Sequence, residues 1–259
     1  MLFGNSRLSA IPNSSNSGIL DMQAVLLVGG KGTRLQTVVP HIPKPMVPLR
    51  GVPFLKYQLA WLANWGVDEV LLCTGYKAEY FHKHLSEIGF GEVTLTLSTE
   101  SEPLDTGGAL RNATPLIKEV CVVLNGDTFF DLNLHALVEF HKAHDALVTL
   151  ALLHMDDISQ RGKVEVDECG RVIRFAEKQG GKCAGIVNGG VYVLQREVLA
   201  RIPSDRPVSI EYEVFPSLIN EGRLFGMDVS GYFVDIGTPL GLAEAEAKLP
   251  NLFASRGWL

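Results

Sequence analysis

Ala24-Val25-Leu26-Leu27-Val28-Gly29-Gly30-Lys31-Gly32-Thr33-Arg34-Leu35 is the stretch that decides the fold. Its first five residues are an unbroken apolar run bounded by glycine, the pattern of a strand buried on both faces in a sheet covered by helices. Gly29, Gly30 and Gly32 let the backbone turn tightly at the strand's carboxyl end and approach an anion with no Cβ in the way. Arg34 offers a planar fork of donors suited to phosphate oxygens. Lys44, within Pro43-Lys44-Pro45, supplies a compact mobile charge ten residues further on. The element reads as a loop that wraps backbone amides around phosphates. It is not a dinucleotide fingerprint, whose third glycine would fall at Leu35, and no Gly-Lys-Ser/Thr closes it as a P-loop.

Working outward, Leu55, Leu59 and Leu62 repeat at helical spacing with Trp61 and Trp65 on a neighbouring stripe. Strands are predicted at 69–73, 93–97 and 120–124, and helices at 78–85 and 134–144. A further helix is predicted from Thr106, as its N-cap, to about Ile117. This alternation implies a mostly parallel sheet with helices on both faces, a Rossmann-like α/β fold. From about residue 147 the pattern changes to strands at 147–152, 163–166, 171–175 and 190–194 joined by Gly- and Asp-containing turns. These predict a β-rich lobe beside the first half, with a second substrate in the cleft between them. The expected division is therefore 22–146 for nucleotide binding, 147–248 for the second half and 249–259 as a tail.

The chain has 259 residues and a net charge of −6, which argues against nucleic acid or an anionic membrane as partner, since both call for a basic footprint. Cys73, Cys121, Cys169 and Cys183 show no paired spacing and read as reduced thiols of a cytoplasmic protein. No apolar stretch reaches the roughly 20 residues that span a bilayer. Residues 1–21 are rich in Asn and Ser, without a signal-peptide pattern. They are expected to be a disordered extension, or an artefact of start-site choice with Met22 as the functional start.

Leu124-Asn125-Gly126-Asp127 places a carboxylate at the end of the fourth strand, and Tyr232-Phe233-Val234-Asp235-Ile236-Gly237 places another at a distant strand end. Each aspartate alone reads equally as a turn or cap residue. Beside the glycine loop, the pair predicts a site for Mg²⁺ held against phosphate oxygens. Glu102-Pro103-Leu104-Asp105-Thr106-Gly107-Gly108 puts two glycines at a helix start, where free amides and the dipole favour an anionic ligand; the alternative is an ordinary capped helix. Glu177-Lys178 and Asn188-Gly189-Gly190 either line the cleft or are turns. His135, His141 and His144 sit among surface-type residues and read as solvated side chains.

Together, Gly29 to Leu35, Pro43-Lys44-Pro45-Met46, Asn125-Gly126-Asp127, Glu177-Lys178, Asn188-Gly189-Gly190-Val191-Tyr192 and Asp235-Ile236-Gly237-Thr238-Pro239 resemble the sugar-1-phosphate nucleotidylyltransferases. Among these, the words around Gly107-Gly108 and Leu124 to Asp131 are most similar to the D-glycero-D-manno-heptose 1-phosphate guanylyltransferases. The resemblance implies a GT-A-like nucleotidyltransferase fold. It implies that Leu27, Gly29, Gly30, Gly32, Thr33, Arg34 and Gly107 hold the nucleotide, with Arg34 and Lys44 catalytic on its phosphates. It also implies that Gly108, Asn125, Glu177, Lys178 and Asn188 face the sugar phosphate and that Asp127 and Asp235 bind Mg²⁺. One departure is Asp105, which stands where such enzymes commonly carry glycine. The implied reaction joins a nucleoside monophosphate from GTP to the heptose 1-phosphate, for surface glycan or lipopolysaccharide precursors, in a monomer or homodimer. Uridylyl or thymidylyl transfer to N-acetylmuramate or glucose 1-phosphate is the alternative. A non-catalytic nucleotide-sugar-binding regulator and a glycosyltransferase are the other classes. The second calls for an Asp-x-Asp motif, and the sequence offers Asp127-Thr128-Phe129-Phe130-Asp131 instead.

Overall fold

The computed structural model describes residues 22–30, 32, 41–159, 161–176 and 182–259. Expectations for residues 1–21 and for Lys31, Thr33, Arg34, Glu177 and Lys178 lie outside the described residues. In chain order the elements begin with β1 (Gln23–Leu27), a short hairpin of β2 (Pro48–Leu49) and β3 (Val52–Pro53), and α1 (Phe54–Asn64). Then come β4 (Glu69–Thr74), α2 (Ala78–Ile88), β5 (Thr94–Thr99), α3 (Asp105–Asn112), β6 (Val120–Asn125), β7 (Thr128–Phe130) and α4 (Leu134–Ala143). The second half holds β8 (Val148–Met155), β9 (Lys163–Val166), β10 (Val172–Ala176), β11 (Gly185–Gln195), α5 (Phe215–Asn220), β12 (Leu224–Asp228), β13 (Phe233–Asp235) and α6 (Pro239–Arg256).

Seven strands form one sheet in the order β12-β8-β11-β6-β1-β4-β5. Only β11 runs against its neighbours; the pairs β12–β8, β6–β1, β1–β4 and β4–β5 are parallel. The central strands feed two cores by their period-2 alternation. Ala24, Leu26, Leu72 and Val122 pack on one face with α1, while Val25, Leu71, Cys73 and Val123 pack on the other. Helix α1 is apolar nearly all round because Phe54 through Leu62, apart from Lys56, are buried.

The second half departs from the expected separate lobe. β8, β11 and β12 continue the main sheet, while β9 and β10 form a two-stranded ribbon and β13 pairs with β7 outside it. Alternating apolar residues identify a strand but not its partner. The 249–259 tail is also corrected: α6 runs to Arg256, Leu249 and Phe253 are fully buried, and Arg256 grips Asp131 with two hydrogen bonds of 2.8 and 2.6 Å.

Thr106 is not an N-cap. Helix α3 begins at Asp105, flanked by Leu104, and ends at Asn112 before a separate short turn at 114–116. The Thr106 hydroxyl instead accepts from the Ile210 backbone N–H at 3.0 Å. Asp105 has φ of +60°, the left-handed backbone that glycine adopts without cost. Its Oδ1 accepts from the Thr106 N–H at 2.6 Å and so offsets part of the strain. Asp105→Gly is accordingly expected to keep stability within about 1 kcal/mol. Asp105→Val, branched and without an acceptor, is expected to lose about 2 kcal/mol. Urea unfolding midpoints of the two variants check this, and equal losses would contradict it.

Candidate functional site

The carboxyl ends of β1 and β6 are adjacent in register, Leu27 opposite Asn125. Between them the chain comes very close: the Gly126 N–H donates to the Leu27 carbonyl at 3.0 Å, and a Cβ at Gly126 would lie 2.6 Å from that oxygen. Buried Gln58 on α1 clamps the same turn by donating to the carbonyls of Asn125 (2.9 Å) and Thr128 (2.8 Å). Asp127 is thereby fixed at the mouth of a 610 Å³ cavity. Leu27, Gly29, Gly30, Lys44, Asn125 and Asp127, all named from the sequence, line it together.

One cation–carboxylate pair, Lys44 with Asp127, stands on the cavity wall, and a second, Arg161 with Asp235, lies off that wall. The Lys44 Nζ meets Asp127 Oδ2 at 2.7 Å with only 11% of the lysine side chain exposed. Gly32, at φ +59°, lies against the Lys44 stem, where a Cβ would come within 3.0 Å of Cε. β7 and β13 pair antiparallel with Thr128 opposite Asp235, and the Ile236 N–H donates to the Asp127 carbonyl at 2.9 Å. This ladder brings Asp235, more than a hundred residues away in sequence, beside Asp127. Asp235 Oδ1 accepts from the Gly237 N–H at 2.7 Å and Oδ2 from Arg161 at 2.9 Å.

Gly107 and Gly108 need correction. Both of their amides donate to the Val208 carbonyl, at 2.8 and 3.1 Å, and are spent on tertiary structure rather than left for a ligand. A Cβ at Gly107 would approach that carbonyl to 2.9 Å, so close packing explains the glycine. Gly108 lines a separate pocket with Arg111, Pro203 and Arg206. Asn188 is likewise not on the cavity wall: its Nδ2 donates to Tyr192 Oη and Glu211 Oε1, and its Oδ1 accepts from the Gly190 N–H. Its amide meets Glu211, which does line the cavity.

Sequence reasoning missed Glu100, Arg161 and Glu211. Glu211 sits in a π-helical turn, Ile210–Val214, and lines the cavity. Tyr192 Oη donates to its Oε1 at 2.8 Å. Burial raises the Glu211 carboxyl above its ordinary range, with Asp105 and Asp127 adding to the effect. Ser209-Ile210-Glu211 carries no periodicity or motif that would have singled it out. Arg161 carried no signal either. Glu100 lies three residues past the strand predicted at 93–97, which was the one available cue.

Among the described residues no helix is long and apolar enough to cross a membrane. A model of the family described as Nucleotidyl transferase matches residues 23–251. The chain is 38% identical over 231 residues to a mannose-1-phosphate guanylyltransferase of Mycobacterium tuberculosis, covering 88% of this chain and 64% of that protein. It is 38% identical over 221 residues to a D-glycero-alpha-D-manno-heptose 1-phosphate guanylyltransferase of Campylobacter jejuni, covering 84% of this chain and 96% of that one. Among solved structures, HddC from Yersinia pseudotuberculosis superposes with a TM-score of 0.79 at 32% identity, covering 88% of this chain and 99% of that chain. HddC has also been solved in complex with GMP-PN.

Proposed function

This chain belongs to the nucleotidyl transferase family, and from that premise we propose that it transfers GMP from GTP to a sugar 1-phosphate of manno configuration, best D-glycero-D-manno-heptose 1-phosphate. The observation that carries this reading is the Lys44–Asp127 pair on the cavity wall at the glycine-loop end of β1, with Asp235 placed next to Asp127 by the β7–β13 pairing. The guanylyl choice rests on the printed activities of the Mycobacterium and Campylobacter relatives. Mannose 1-phosphate is the second reading, favoured by the mycobacterial relative.

The sugar-phosphate oxygen attacks the α-phosphorus of GTP, forming one P–O bond while the bond to pyrophosphate breaks. No general base is needed, because a phosphate monoester's second pKa is about 6 and the nucleophile is already ionised at neutral pH. Two anions must then be aligned, and the charge growing on pyrophosphate neutralised. Lys44 is held for the second task by its contact with Asp127. Arg34 and Lys178 add cations in this reading, Thr33 supports the nucleotide, and Glu177 accepts from the sugar. Glu211, lining the cavity and anchored by Tyr192 and Asn188 on Oε1, also accepts a sugar hydroxyl.

Enzymes of the family generally use a divalent metal. The donor set here fits a hard cation: two carboxylates brought together by the β7–β13 ladder, each now neutralised by a basic side chain. Asp127 and Asp235 would hold Mg²⁺, which when bound spreads positive charge over the triphosphate oxygens.

The experiment is pyrophosphate release with Mg²⁺, crossing GTP, UTP and dTTP against heptose, mannose and glucose 1-phosphates. Release confined to GTP with heptose 1-phosphate is expected. Release with GTP and mannose 1-phosphate alone would replace the sugar, and release only with UTP or dTTP would overturn the guanylyl reading.

A further inference from the structure

We infer that the smaller cavity behind α3 is a regulatory site for a small phosphate monoester, whose binding loosens the turn that carries Glu211. The cavity has a volume of 410 Å³, and Arg111, Asn112, Pro115, Pro203, Ser204 and Arg206 line it without lining the 610 Å³ cavity. Small-molecule sites occupy about 300–1,000 Å³. Two arginines share this space, and no carboxylate lines it. The Arg111 Nη1 donates to the Leu199 carbonyl at 3.3 Å, which leaves Nε and Nη2 of the fork without a partner among the described residues. A planar fork of this kind matches the oxygens of a phosphate. Pro115 and Pro203 add apolar surface for the carbon frame of an ester, which a bare phosphate ion does not use.

The two cavities share their walls. On α3, Thr106 and Ala109 line the larger one, whereas Gly108, Arg111 and Asn112 line the smaller. The segment 206–213 is divided in the same way, with Arg206 on the smaller cavity and Pro207, Ser209 and Glu211 on the larger. Hydrogen bonds lock this segment to the helix: the Val208 N–H donates to the Leu104 carbonyl at 2.9 Å, and the Val208 carbonyl takes the amides of Gly107 and Gly108. Arg206 Nη1 meets Glu213 Oε2 at 2.6 Å, and Glu213 Oε1 accepts from the Ser209 N–H at 3.1 Å. Glu213 thus braces the turn Ile210–Val214 that presents Glu211. The Arg206–Glu213 pair is largely exposed, and such pairs are weak. A phosphate dianion in the smaller cavity competes with Glu213 for Arg206 and takes the brace away. The consequence for catalysis rests on the sugar-accepting role of Glu211 in the reading above: effector and sugar 1-phosphate weaken each other's binding by the same factor.

Isothermal titration calorimetry with glucose 6-phosphate, AMP and inorganic phosphate reads binding directly, whichever nucleotide and sugar the enzyme joins. At least one of the two esters is expected to bind the wild-type protein about 10-fold or more tightly than inorganic phosphate, the gain that covering a few apolar carbons supplies. Arg111→Gln is expected to weaken that ester by about 10-fold or more, the loss that goes with one charged donor. Its turnover without the ester stays unchanged, because Arg111 lies outside the larger cavity. Ser204→Asp sets a carboxylate on the exposed rim and carries the same test if the glutamine variant does not fold. In steady-state pyrophosphate release, the ester is expected to raise the KM for sugar 1-phosphate by about 5-fold or more in the wild-type enzyme and to leave it unchanged in both variants. Failure of both esters to bind, or binding that neither variant weakens, overturns the site. Inorganic phosphate binding as tightly as both esters overturns the ester class. A KM that does not respond to the bound ester overturns the link to the Glu211 turn, and one that rises equally in all three proteins shows competition in the larger cavity and overturns it too. Turnover with UTP alone is a different result, because it overturns the guanylyl reading and leaves each of these expectations standing.

Discussion

Lys44→Ala and Asp127→Asn are each expected to lower turnover by roughly 100-fold or more while the fold stays intact, a loss of the size measured for one key electrostatic group. Lys44 follows a proline, starts a short helical turn, and is packed at its stem by Gly32, so the ammonium has little freedom to wander. Its Nζ is 2.7 Å from Asp127, with the lysine side chain largely covered and the aspartate about a third exposed. Charge–charge interactions there are stronger than in bulk solvent. Removing the lysine deletes a preorganised cation and leaves Asp127 facing a triphosphate without its partner. Removing the carboxylate charge frees the lysine and deletes one of the two acidic groups assigned to the metal. Because the two groups act through each other, the double variant is expected to be far less impaired than the product of the single losses. Steady-state pyrophosphate release at saturating substrates measures the effect, with circular dichroism to confirm folding. Near-normal turnover in both single variants would remove this pair from the reaction.

The elements legible in the sequence are those whose cause is local. The β1 run, the glycines at its end and the aspartates at two strand ends each carry their chemistry within a few residues, and the cavity joins Gly29, Gly30, Lys44 and Asp127. What was missed depends on distant partners. The amides of Gly107 and Gly108 look free from sequence, because the carbonyl that takes them belongs to Val208. Asn188 looks like a wall residue until Tyr192 and Glu211 absorb its amide. β8 and β11 read correctly as strands, yet no periodicity says that they pair with each other and join β6. Asp105 stands between these cases. Its standing where glycine is common was read only as a departure in the substrate loop, and φ of +60° shows the backbone geometry that a glycine there would supply.

His141 is the largest correction to the histidines and carries the second large effect, a loss of about 3 kcal/mol of stability on acidification. It was expected to be solvated with His135 and His144; it is instead 1% exposed, between α4 and the sheet. Its Nδ1 lies 2.9 Å from Thr149 Oγ1 and its Nε2 3.3 Å from Gln195 Nε2. The glutamine nitrogen can only donate, so the neutral ring accepts at Nε2 and donates from Nδ1 to the threonine. Protonation would set two donors against each other. Burial accordingly pulls the His141 pKa down to about 4; nearby Asp145 opposes this, and Arg223 and Lys142 reinforce it. The unfolded chain, with a histidine pKa of about 6.5, binds this proton more readily than the folded one. Stability is therefore complete above about pH 6.5, falls as pH drops toward 4, and levels off below that value, because the unfolded state binds more protons only inside this window. Urea unfolding at pH 7.5 and 4.5 reads the change. His141→Gln, which has no proton to gain, is expected to lose about 2–3 kcal/mol less between the two pH values than the wild-type chain does. Other carboxylates titrate in both proteins and cancel in that difference. Identical losses in the two would mean that His141 is not the group that makes the fold acid-sensitive.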